Sequence, residues 1–375
     1  MEGKFTYPQQ YQESGKRIGD STASDILNEF KVRLDSVLES FLSIKTIEAG
    51  EISSEAAGLV NEIGRFTRNG GKRVRPLFVY AGYLSSGGLA QEAILVASLS
   101  VEMLHTFALI HDDIIDNSDL RRGQPTTHKM FESTHQIKKF KGNPTEFGLS
   151  AAILAGDIAV SFANEILNES PFPNERIRRA KYYFNKMKQE VEIGEYLDVV
   201  NGYKQEVNED EVLKVLEYKT AKYTVERPLH IGAALAGADP DIYKVFTAYG
   251  LPFGQAFQIQ DDILGTFGET KKIGKPNDSD IKEGKKTILV VKAMERADLE
   301  QKAFLAKNLG NKFATDQEIG QVRDIIKRTG ALSYAMSLSQ HLLNQAKQVV
   351  YESKVHQDGK EYLLAAVDYL QARLS

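Results

Sequence analysis

Twice in this chain a long apolar run ends abruptly in adjacent aspartates. "AILVASLSVEMLHTFALI", Ala93–Ile110, passes straight into "HDDIID", and "LPFGQAFQIQ", Leu251–Gln260, leads into Asp261 and Asp262. A run as long as the first exceeds an ordinary strand, and apolar residues recurring at spacings of three and four mark a helix. The same spacing runs through Ser24–Leu42, where Ile26, Leu27, Phe30, Leu34, Val37, Leu38 and Phe41 share one side behind a Ser24 or Asp25 cap. Residues 210–237 read as one or two helices ending at Gly237, and 331–374 as helical throughout. Alternating β-branched runs bounded by hairpin turns do not recur. The expected class is all-α: a single-domain helical bundle around a deep central cavity over 21–375, behind a loosely ordered segment 1–20.

Breaks fall at Gly70-Gly71, Gly87-Gly88, Pro171–Asn174, Ala238–Asp241 and 271–286, none with the length and composition of an interdomain linker. "KKFKGNPTEFG", Lys138–Gly148, reads as a basic loop inserted between helices. The formal net charge is −4, which gives no global basic field for nucleic acid. Cysteine is absent, which removes disulfides, thiol catalysis and Cys-based zinc sites and suits a reducing cytoplasm. The first twenty residues hold no apolar core of a signal peptide. Ala93–Ile110 carries Glu102 and His105, so it reads as a buried core helix rather than a membrane span.

On a helix, Asp112 and Asp116 are one turn apart and share a face, while Asp113 points about 100° away. His105, seven before Asp112, lies on that face too. Two carboxylates so placed repel unless a cation sits between them, and hard oxygen ligands without Cys or clustered His suit Mg²⁺. A solvated acidic turn is the ordinary alternative; the apolar lead-in argues for the floor of a cleft. Asp261-Asp262 repeats the pattern, with Gln258 one turn earlier but Gly265 where the first motif has Asp116. Two such helices can face each other across a bundle cavity. Basic clusters supply an anion grip: Lys72 and Arg75 beside Gly70-Gly71, Arg121-Arg122, Lys219-Thr220, and Lys275 and Lys285 in "GKPNDSDIKEGKKT". Guanidinium forks, point-charge lysines and Mg²⁺ together match a diphosphate.

The ordered set resembles the trans-isoprenyl diphosphate synthases, the polyprenyl synthetase family, and among them the geranylgeranyl diphosphate synthases. Its pattern GK-x-x-RP is met by Gly71 to Pro76, and DD-x-x-D-x4-RRG by Asp112 to Gly123. A Lys-Thr pair follows at Lys219-Thr220, and FQ-x-x-DD at Phe257 to Asp262. The closing GK-P…D-x-x-EGK-x-T is met by Gly274, Lys275, Pro276, Asp280, Glu283, Gly284, Lys285 and Thr287. Gly265 departs from a third Asp in the second motif, and Glu195 stands where many members have Gln.

The resemblance implies a Mg²⁺-dependent head-to-tail condensation of isopentenyl diphosphate with an allylic diphosphate, using three Mg²⁺ ions. Asp112, Asp116 and Asp261 would be the metal ligands. Arg121, Lys219, Thr220, Gln258, Lys275 and Lys285 would surround the allylic diphosphate, while Lys72, Arg75, His105 and Arg122 would hold isopentenyl diphosphate. The acids and arginines of 112–122 would thus serve metal and substrates rather than neutralise one another. Phe107 and Ala108, five and four before the first Asp, would floor the product tunnel, and Phe107 suits a C20 product. The 271–286 loop would act as a lid, and the chain would form a homodimer. Farnesyl or longer products, or the role of a non-catalytic partner subunit, are the alternatives. An HD-type phosphohydrolase, suggested by His111-Asp112, would need more histidine ligands than seven His in all can readily supply. A terpene cyclase would not need the Lys72/Arg75 grip.

Overall fold

Ser24 and Asp25, expected as caps, lie in the first turn of α1, Ala23–Ile52, which runs past Leu42. The computed structural model describes residues 23–89, 92–268 and 278–373; the segment 1–20 and residues 271–277 of the expected lid loop, Lys275 among them, lie outside them. Helices follow in order: α2 (Ser54–Arg68), α3 (Val74–Ser85), α4 (Glu92–Ile115), α5 (Thr127–Ile137), α6 (Pro144–Asn168), α7 (Asn174–Tyr203) and α8 (Glu209–Val215). α8 passes into a π-helical stretch, Leu216–Glu226, and then α9, Arg227–Ala236. After α10 (Pro240–Phe267) come α11 (Ser279–Glu283), α12 (Ile288–Arg296), α13 (Leu299–Asn308), α14 (Asp316–Arg328), α15 (Ala331–Glu352) and α16 (Gln357–Gln371). The all-α class stands. Among the described residues, strands are confined to β1, Leu120–Arg121, and β2, Gln124–Pro125.

Two expectations are corrected. Pro144–Gly148 is not loop but the first turn of α6: Asn143 accepts the Thr145 amide at 2.9 Å, and Pro144 sits where its missing N–H costs nothing. The C-terminal stretch breaks over 353–356 between α15 and α16, where His356 N–H donates to Ser85 O.

Two buried clusters divide the interior. One gathers α1, α3, α4, α6 and α7 around Leu34, Leu99, Leu104 and Phe184; the other gathers α10 and α12–α16 around Phe246, Phe253, Ile263 and Leu343. Each large aliphatic side chain so buried contributes about 1.5–3 kcal/mol. α4 is long and apolar enough to cross a membrane, but 72% of its apolar window is buried within the fold, as a core helix should be. α6 passes the same length and composition test with only 33% buried, leaving Ile153 and Leu154 on the surface.

The end of α4 matters most for function. Asn117 takes the left-handed conformation (φ 51°), its N–H donates to Ile114 O, and Ser118 N–H reaches back to Asp113 O. This closure stops the helix directly after Asp116. The acidic motif therefore sits in the last turn, where unpaired carbonyls already concentrate negative charge.

Candidate active site

A cavity of about 670 Å³ opens between the two clusters, walled by α4 on one side and α10 on the other. Lys72, Arg75, His105, Asp112, Arg121, Arg122, Lys219, Thr220, Gln258, Asp261 and Lys285 all line it. Asp116 joins at its edge, 3.8 Å from Lys285 Nζ. Phe107 and Ala108 are not among the lining side chains. The face α4 presents is Glu102, His105, Leu109 and Asp112, spaced by three and four. Phe107 turns instead toward His111, ring centroids 4.6 Å apart, and His111 Nε2 lies 3.2 Å from Ile153 O of α6.

The Arg121-Arg122 pair is split by backbone geometry. Arg122 and Gly123 both have positive φ, 53° and 73°, and turn the chain tightly between β1 and β2. Arg121 then faces α4 and Arg122 faces the Gly70-Gly71 loop. Arg122 Nη1 donates to Asn69 O at 3.0 Å and to Gly70 O, in a loop that Gly70 (φ 82°) and Gly71 (φ 133°) make possible. Arg121 donates from Nη2 to Asp112 at 2.8 Å and from Nε to Asp113 at 2.7 Å. The acids and arginines are therefore not independent, contrary to the sequence-based expectation: Arg121 neutralises part of the motif. Asp113 is buried, its Oδ2 has no hydrogen-bond partner, and burial lifts its carboxyl to about 6 against the pull of Arg121.

Lys219 and Thr220 project from the π-helical stretch, a geometry that often marks functional positions. Lys219 Nζ lies 2.7 Å from Asp198, 3.0 Å from Glu195 and 3.8 Å from Asp112. Thr220 Oγ1 donates to Gln258 Oε1, and Gln258 Nε2 donates to Asp262 Oδ1, both at 2.8 Å. This chain fixes the Gln258 amide and leaves Asp261 as the carboxylate not engaged by it. Burial pushes Asp262 well above the usual carboxylate range. Arg73, between Lys72 and Arg75, is buried against Asp35 of α1 at 2.8 Å and Glu102 of α4 at 2.5 Å. It ties three helices together at the cavity wall. Arg75 stacks 4.4 Å over the Tyr223 ring, whose hydroxyl is 3.3 Å from His105 Nδ1. Burial and then the Arg75 and Arg122 charges hold His105 well below its usual range, so it meets a ligand as neutral imidazole.

Asp112 and Asp116 fit a hard divalent cation. Burial first, and then the charge of Asp112, raises the Asp116 carboxyl above its ordinary value. Among the described residues no three acidic or histidine side chains converge closely enough to hold an ion alone. A Mg²⁺ ion here would complete its shell with ligand oxygens, as that ion commonly does.

Asp198, Asp280 and Arg373 were missed as site residues in the sequence. Asp198 stands in "GEYLD" beside Glu195, so its signal was present; Arg373, which donates to Asp261 at 2.5 Å, comes from beyond α16 with no local motif.

Residues 58–326 match the polyprenyl synthetase family. The chain belongs to that family. It is 34% identical to a geranylgeranyl diphosphate synthase of Sulfolobus acidocaldarius, covering 86% of this chain and 93% of the relative. A geranylfarnesyl diphosphate synthase of Aeropyrum pernix is 33% identical over 81% of this chain and 91% of its own length. Among solved structures, the geranylgeranyl pyrophosphate synthase of Corynebacterium glutamicum, complexed with isoprenyl diphosphate and magnesium, superposes with a TM-score of 0.88. It is 33% identical and covers 92% of this chain and 99% of its own. The family brings the enzyme class with it, trans-prenyl transfer.

Proposed function

We propose that this chain, as a single all-α domain over 21–375, condenses isopentenyl diphosphate with an allylic diphosphate in the cytoplasm. Its product is geranylgeranyl diphosphate. One observation carries the reading: two aspartate-bearing helices, α4 and α10, line one cavity together with two groups of basic side chains, Lys72, Arg75 and Arg122 in one and Arg121, Lys219 and Lys285 in the other. Asp112 and Asp116 on one wall and Asp261 on the other would hold three Mg²⁺ ions, which when bound draw charge from the departing diphosphate.

Lys219, Thr220, Gln258, Lys285 and Arg121 orient the allylic diphosphate, with Lys275 in the segment outside the described residues. Lys72, Arg75, Arg122 and neutral His105 hold isopentenyl diphosphate beside it. The allylic C–O bond breaks, and the electron pair leaves on the diphosphate while these cations stabilise it. The isopentenyl double bond then attacks the allylic carbon, and the released diphosphate takes the proton that restores a double bond. The apolar wall at Leu109, Val215 and Leu216 shields the cation from water.

The exposed α6 residues Ile153 (45%) and Leu154 (56%), with Ile137 (80%) and Phe140 (42%) nearby in sequence, support a homodimer through this apolar face. The test is elongation with labelled isopentenyl diphosphate, Mg²⁺ and allylic primers of increasing length, with products separated by chromatography. C20 product is expected. No incorporation with any primer would assign the chain as a non-catalytic partner subunit, and a product other than C20, as the Aeropyrum relative's name suggests, would overturn the chain length.

A further inference from the structure

The two metal walls of this chain are unequal in sequence. The first presents carboxylates one helical turn apart, Asp112 and Asp116; the second presents Asp261, and one turn later Gly265 has no side chain. In space that position is filled. A Cβ built on Gly265 would lie 2.4 Å from Asp280 Oδ2 and 3.2 Å from its Cγ, so the Asp280 carboxylate occupies the volume a residue-265 side chain would need. Asp280 arrives from α11, a separate element packed against the end of α10.

Both residues line the same cavity as Asp261. Lys285 Nζ stands 4.0 Å from Asp280 and 3.8 Å from Asp116, so one ammonium sits between the second carboxylates of the two walls. Glycine at 265 is therefore more than a missing ligand: it is the clearance that lets α11 deliver a carboxylate to Asp261's face. A side chain at 265 would require the Asp280 carboxylate to move from where it stands.

We infer that Asp280 supplies, from α11, the second carboxylate of the α10 metal wall, acting with Asp261 in place of the acid absent at Gly265. The inference rests on the proposed role of Asp261 as a metal ligand. It makes metal affinity depend on the docking of α11, so that the wall is complete only when 279–283 is seated against α10.

The test uses the full chain with inorganic pyrophosphate, and Mn²⁺ in place of Mg²⁺. Bound and free Mn²⁺ are resolved by electron paramagnetic resonance, and metal-free unfolding is followed alongside. Asp280→Ser should weaken Mn²⁺ binding at the affected site about 10-fold, as loss of a supporting carboxylate does elsewhere. The double variant Gly265→Asp/Asp280→Ser, which moves the acid back onto α10, should return to within about 3-fold of wild type. Asp261→Asn separates the two readings. If Asp261→Asn weakens Mn²⁺ binding but Asp280→Ser leaves it unchanged, the Asp280 inference is overturned while the Asp261 ligand stands. A double variant as weak as Asp280→Ser also overturns it, since Asp280 would then serve the seating of α11 rather than the metal. If Asp261→Asn is itself without effect, the ligand reading fails and takes the inference with it.

Discussion

Glu195 and Lys219 meet across the seam between α7 and the π-helical stretch, with Lys219 Nζ 3.0 Å from the Glu195 carboxylate. Asp198 and Asp112 share the same ammonium at 2.7 and 3.8 Å, so one cation serves three acids. An incoming diphosphate must compete with all of them for Lys219. Glu195→Gln removes one competitor at constant shape, and we predict that the KM for the allylic diphosphate falls about 3- to 5-fold, the scale of one partly screened ion pair. Burial raises the Glu195 carboxyl above its ordinary range. The wild-type residue thus carries charge above that raised value and loses it as pH falls through it. The gap between wild type and variant should narrow on acidification. Steady-state kinetics across pH check both parts, and a KM that rises in the variant would sink the idea.

Arg73 is a structural residue inside a substrate-binding motif. Its side chain is 3% exposed and that of Glu102 only 7%. Arg73→Ala strands Glu102 as an uncompensated buried charge, a loss of about 3–5 kcal/mol. For a chain of this length that lowers Tm by about 4–6 °C. Arg73→Ala/Glu102→Gln should recover part of the loss. Calorimetry showing Arg73→Ala within about 1 °C of wild type would remove Arg73 from the fold's supports.

The helical class and the polar face that α4 turns to the cavity were legible because spacing does the positioning: residues at i, i+3, i+4 and i+7 on a buried helix point into one space. His105, Leu109 and Asp112 follow that rule. What spacing cannot supply is pairing across elements. Nothing local to Arg373 points to Asp261, and nothing local to Asp280 points to Gly265. The Arg122-Gly123 turn has a glycine signal, yet strands this short have no periodicity to read. The helix break at 353–356 lacks both Gly and Pro, so it stayed invisible in sequence.

Phe107 lies against His111 rather than on the cavity-lining face of α4. A role in chain length would then be exerted by closing the space between α4 and α6 through which a longer product extends. We predict that Phe107→Ala shifts product toward chains longer than C20, and that Phe107→Leu shifts it less. Product chromatography with a saturating primer checks this; an unchanged distribution in Phe107→Ala would assign the ring to packing alone.

His230 provides a prediction remote from the cavity. Arg227 Nη1 donates to His230 Nδ1 at 3.1 Å, and His230 Nε2–H donates to Tyr243 O at 3.0 Å. Both ring nitrogens are thus satisfied in the neutral form, and a proton on Nδ1 would face a guanidinium. Burial, with Arg227 adding and Glu226 opposing, lowers His230 to about 4, against about 6.5 in an unfolded chain. The sign follows: stability is full above about 6.5, and falls as the unfolded state gains a proton the folded state refuses, down to about pH 4. Between pH 7 and pH 5 this one residue costs about 2 kcal/mol of stability. His230→Gln keeps polar groups at the site without that titration. We expect its urea midpoint to fall less than that of wild type between those two pH values. Equal falls in both proteins would show that His230 is not the group responsible.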